Sequence, residues 1–141
     1  MTRRRGLSSK QHHEIAQIKE AVGKSDASLH HYAVTLDQFD RTAERNPGRD
    51  LSAQRARVLN EIHRELLHAS RRLEALNTGL QAQEDLRQAL IASAAGYATW
   101  SSALGSRDVN VIATARARMR REFASAADHG ERGVSHLARG V

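Results

Sequence analysis

Between residues 15 and 43 the apolar side chains Ile15, Ile18, Val22, Leu29, Tyr32, Leu36, Phe39 and Ala43 recur at alternating steps of three and four, and Ser25 is the one polar residue on the ladder. That spacing keeps one stripe of a long helix apolar along its length, and such a stripe is stable only when another helix covers it. A second ladder, Leu59, Ile62, Leu66, Ala69, Leu73, Leu76 and Leu80, repeats the pattern, widened by Val58 and Leu67. Between the two, Asn46-Pro47-Gly48 ends the first helix: proline disfavours helix in its predecessor, and glycine turns the chain. A helix of ~30 residues is ~45 Å long, so the two ladders are expected to zip together antiparallel across this turn.

Local signals place the helix ends. Ser8 or Ser9 is suited to cap the first helix, which then runs to about Glu44 with Gly23 as its weak point. Asp50 or Ser52 restarts the chain. Asn77-Thr78-Gly79 reads as a break, because extending the second ladder past Leu80 lands on Gln83 and Arg87. With that break the chain has four helices; without it, three.

Residues 88–106 carry no charged side chain. Leu86, Leu90, Tyr97, Trp100 and Leu104 lie near one another on a helix there, among small residues. Ser93, Thr99, Ser101, Ser102 and Ser106 make the run too polar for a membrane span. A helix enclosed by protein on most sides is expected instead, part of that cover being open to another chain. Asp108 then caps a last helix that turns Val109, Ile112, Ala115, Met119, Phe123 and Ala126 inward. The tail from Gly130 through Gly133 to Gly140 is poor in apolar residues and is expected to fray.

The expected fold is all-α, an elongated antiparallel bundle. Residues 1–8 read as a flexible basic arm, 9–137 as a single domain and 138–141 as a frayed tail. Only 4% of residues are aromatic and one is proline, which suits helices packed through Leu, Ile, Val and Ala better than strands.

Little in the sequence carries chemistry. The absence of cysteine excludes disulfides, thiolate metal sites and a cysteine nucleophile. Glu65-Leu66-Leu67-His68 supplies Glu-x-x-His once, where a di-iron bundle needs it on two helices. Asp26 and His30, four residues apart, have the spacing to share one metal and equally that of a solvated surface pair. No metal or cofactor is expected. There is no Gly-x-Ser-x-Gly elbow, no phosphate-binding glycine loop and no Gly-x-Gly-x-x-Gly, so neither an enzyme nor a small-molecule substrate is expected.

The leading expectation is therefore a non-enzymatic helical-bundle protein that acts through a protein partner or through self-assembly into an oligomer. Tyr97, Trp100 and Leu104 are its candidate interface anchors, since large buried side chains dominate such energetics. The alternative rests on a net charge of +6: a nucleic-acid-binding bundle meeting phosphates through Arg3, Arg4, Arg5, Arg116, Arg120 and Arg121. No helix-turn-helix, zinc finger or aromatic stacking platform accompanies these arginines. The start is basic with no apolar run behind it, so a cytoplasmic location without secretory signal is expected, with signal-independent export as the other route. In outline, two helical arms around Asn46-Pro47-Gly48 are similar to small type VII secretion substrates. Their Trp-x-Gly turn signature is missing, because Trp100 precedes Ser101-Ser102 far from that turn, and no residue is carried across.

Overall fold

A computed structural model describes residues 6–141. These form the helices α1 (Ser9–Gly23), α2 (Asp26–Arg45), α3 (Ser52–Glu74), α4 (Gln81–Leu104) and α5 (Val109–Ala138), with no strand among the described residues. The chain is an all-α helical bundle. Because α1 and α2 are joined end to end, they count as one bent rod and the bundle as four helices.

The rod begins at a capping box. The Ser8 hydroxyl accepts the Gln11 N–H at 3.1 Å, and the Gln11 carboxamide oxygen accepts the Ser8 N–H at 2.7 Å. Its bend falls just after Gly23, at Ser25, the single polar member of the first ladder, which is fully buried. Arg72 of α3 explains that polarity. Its Nε donates to the Ala21 carbonyl at 2.9 Å, and a terminal guanidinium nitrogen donates to the Ser25 hydroxyl. The rod runs antiparallel to α3, as the ladders require. Ile18 and Ala21 meet Leu73 and Leu76 near the end of α3, whereas Leu29, Tyr32 and Leu36 pack on the cluster of Leu59, Ile62 and Leu66. Asp40 and Arg55 pair at 2.7 Å across the Pro47 turn.

The helix at the centre of the bundle is α4, not the rod. α3 packs along one side of α4 and α5 along another. Only Gln81, Glu84, Trp100 and Ser102 of α4 are exposed, whereas no residue of α2 is buried. The cause lies in side-chain size. The first ladder offers one stripe and meets one neighbour, but the alanines, serines and Gly96 of α4 let helices approach from several directions. Gly96 faces the Phe123 ring so closely that an added Cβ would lie 2.6 Å from Cζ.

Polar residues fasten the corners. Between α3 and α4 the chain does break, and Gln83 makes the break: its Nε2 donates to the Leu73 carbonyl at 2.7 Å and the Leu76 carbonyl at 3.0 Å. Leu73 lies in the last turn of α3, where the helix supplies no further turn of N–H groups, and its carbonyl also accepts the Leu76 N–H at 3.1 Å; Leu76 lies in the loop beyond. The buried Glu14 carboxylate of α1 accepts the Gly79 N–H in the same corner at 2.6 Å.

The glycine-bearing tail is helical over most of its length. α5 continues through Gly130 and Gly133 to Ala138, because Gly133 is the place where α5 passes closest over Leu86. Beyond it, the Val141 carbonyl accepts the Ala82 N–H at 3.1 Å, and Gln11 donates to the Gly140 carbonyl at 3.0 Å. One N–H that the start of α4 leaves without a helical acceptor, that of Ala82, thus finds its acceptor in the tail. His136 and Asp85 add a side-chain clasp at 2.6 Å. At the other end, Leu7 lies against Gly140 and Ser8 caps α1; residues 1–5 of the expected arm lie outside the described residues. Among the described residues no helix is long and apolar enough to cross a membrane.

Candidate interaction surface

The seam between α4 and α5 gathers the aromatic residues of the two helices. Tyr97 meets Phe123 edge-on with ring centroids 5.2 Å apart, and stacks on Trp100 at 6.2 Å. The three nominated anchors separate here. Tyr97 and Leu104 pack against the core around Leu59, Ile62 and Leu66, so both serve the fold of the single chain. Trp100 remains 37% exposed on the outside of that cluster.

A second surface was not nominated from the sequence. Near the Gly105 turn, α4 and α5 leave an open groove of about 700 Å³ between them. Ala95, Ala98 and Ser102 form its α4 wall; Val111, Thr114 and Ala115 form its α5 wall. Val111 is 48% exposed there. The charged members of the lining, Arg118 and Glu122, pair with each other at 3.4 Å, and Thr99 donates to the Glu122 carboxylate at 2.7 Å. The groove is therefore apolar over most of its length and electrically neutral. The signal for it was present in the uncharged run 88–106, but the run also serves the interior of the bundle, and only the geometry separates its covered sides from its open one.

The nominated arginines fall elsewhere. Arg116, Arg120 and Arg121 are exposed on α5, and none has an ion-pair partner among the described residues. At 3.6 residues per turn, Arg116 and Arg120 lie on the side of α5 away from Arg118 and the groove. Arg3, Arg4 and Arg5 lie outside the described residues. Among the described residues no three His, Asp or Glu side chains are gathered to hold a metal ion, and the Glu65 carboxylate lies 4.0 Å from the Arg72 guanidinium. No protein-family model, curated protein or solved structure matches this chain.

Proposed function

We propose that this chain is a non-enzymatic, cytoplasmic helical-bundle protein that works by binding protein, either another partner or a further copy of itself, through the outer face of α4 and α5. The neutral apolar groove between Ala98 and Val111 carries this reading. Apolar side chains held open to water along a concave surface favour cover by another apolar surface. A groove walled by Ala, Ser, Thr and Val suits a helix, since small side chains let backbones come close.

A second reading draws on a different surface. Arg116 and Arg120 present unpaired guanidinium groups on the far side of α5, and Arg121, also unpaired, lies about 60° around the helix from Arg118; together they are a concentration of cations that fits the phosphates of a nucleic acid.

One experiment separates the two. A photo-reactive amino acid is placed at Ala98 in one variant and at Arg120 in another, and each is irradiated in the cells that make the protein. The first reading expects adducts from position 98 that protease destroys and nuclease leaves intact. Nuclease-sensitive adducts from position 120, with none from position 98, decide for the second.

A further inference from the structure

We infer that Trp100, Arg116 and Arg120 form one binding face for single-stranded nucleic acid, with a base stacked on the indole and phosphates held by the two guanidinium groups. This rests on the second reading above and names the form of nucleic acid that the arginines meet.

The first ground is register. Gly133 closes on Leu86, Gly130 on Ala89 and Gly96 on Phe123, so each step forward along α4 is matched by an equal step back along α5. Carried past Gly96 by one helical turn, the same register sets Trp100 level with Met119, between the levels of Arg116 and Arg120. At about 100° per residue, the groove residues Ala95 and Ser102 fall to one side of Gly96 and Trp100 falls to the other. On α5, Val111 and Glu122 fall to the groove side of Phe123, and Arg116 and Arg120 to the opposite side. The tryptophan and the two arginines thus flank one edge of the α4–α5 seam, and the groove occupies the other. Far apart in the chain, they are brought together by the antiparallel pairing.

The second ground is the chemistry of that edge. Trp100 is 37% exposed and rests on Tyr97 with ring centroids 6.2 Å apart, while Phe123 holds Tyr97 edge-on at 5.2 Å. An indole backed in this way is a fixed platform, and every base has a face that can stack on one. Arg116 and Arg120 have no ion-pair partner among the described residues. From Val109 to Arg121 α5 carries arginines and no acid, and across the seam residues 88–106 carry no charge. Like charges one helical turn apart repel, and a phosphate set between them relieves the repulsion. A strand with unpaired bases supplies both groups together, a free base face and a flexible run of phosphates. In a duplex the base faces are covered by their neighbours, so the indole finds no partner there.

Trp100 is the only tryptophan, so its own emission reports the contact. The full chain, freed of nucleic acid in high salt, is titrated with an oligothymidylate of about 12 nucleotides and with a hairpin duplex of equal phosphate count. Saturable quenching by the oligothymidylate is expected, with affinity at least about tenfold above that for the duplex. Arg116→Gln and Arg120→Gln are each expected to lower the slope of log affinity against log salt by about 0.7. Trp100→Leu, with far-UV circular dichroism unchanged, is expected to weaken binding of a labelled oligothymidylate by about 5- to 100-fold and to leave that slope as it was. Quenching in the wild type decides the stacking contact whether or not this variant folds. Equal affinity for strand and duplex without quenching, but with the slope changes of the arginine variants, overturns the inference and leaves the phosphate reading in place. Quenching whose salt slope neither arginine variant changes overturns the shared face. Binding of neither nucleic acid overturns inference and reading together, as does a Trp100 response confined to phosphatidylglycerol vesicles.

Discussion

Gly133 of α5 lies so close over Leu86 of α4 that a Cβ added there would come within 2.6 Å of the Leu86 Cδ2 and 3.2 Å of its backbone nitrogen. Three residues earlier, a Cβ at Gly130 would meet nothing nearer than the Ala89 Cβ at 3.9 Å. Alanine substitution is therefore expected to act with opposite sign at the two positions. Gly133→Ala pushes α5 off α4 and should cost about 1–3 kcal/mol, the usual penalty of overpacking. Gly130→Ala gains helix propensity at ordinary contact distance and should stabilise by about 0.5–1 kcal/mol. Urea midpoints of the two variants check this. Equal shifts in the same direction would mean that the two helices are not held at this separation.

Arg72 is expected to hold the bend between α1 and α2. Removing it in Arg72→Ala leaves the Ala21 carbonyl and the buried Ser25 hydroxyl without their donors, at a cost of about 1–3 kcal/mol. Arg72→Lys keeps the charge beside Glu65 but loses the planar fork that reaches two acceptors, so it should recover less than half of the loss. Hydrogen exchange gives the local readout. Amides around the bend, the Leu29 N–H that donates to the Ser25 carbonyl among them, should open faster in both variants than those of α4. Uniform acceleration along the chain would show that Arg72 supports the whole bundle instead.

The helices themselves were legible because their signals are local. The ladder positions Leu59, Ile62, Leu66, Ala69 and Leu73 are all buried, and Asp108 caps α5 by accepting the Asn110 N–H at 2.9 Å. Repeating spacing and a cap depend only on residues within a few positions of each other. What the sequence left hidden depends on the partner helix. Gly133 carries the same local signal as a helix breaker, yet Leu86, far away in the chain, turns it into a close crossing. Ser25 and Gln83 interrupt apolar ladders, and only the carbonyls and guanidinium they meet in the fold show that each fastens a corner. The groove was partly legible in the same sense. Absence of charge in residues 88–106 marked α4 as surrounded, but which of its sides α3 and α5 leave open follows from their placement.

Acid should loosen the start of α4 through Glu84. Arg87 donates two hydrogen bonds to its carboxylate at 2.8 Å and Gln88 a third, and these hold its pKa down from 4.5 to about 2. The unfolded chain therefore takes up this proton first as pH falls. The stabilisation is fully present above about pH 4.5 and is lost as pH falls toward about 2. Glu84 is half-exposed, so solvent screening limits the effect to a few tenths of a kcal/mol, with the helix dipole adding to it in the first turn of α4. In a comparison of wild type with Glu84→Gln by urea unfolding, the wild type is expected to be the more stable at pH 6, with the gap clearly narrowed at pH 3 and closing only toward about pH 2. Salt should narrow the gap at pH 6 as well. A gap that stays constant from pH 6 to pH 3 would show that Glu84 contributes by packing and neutral hydrogen bonding, with no part played by its charge.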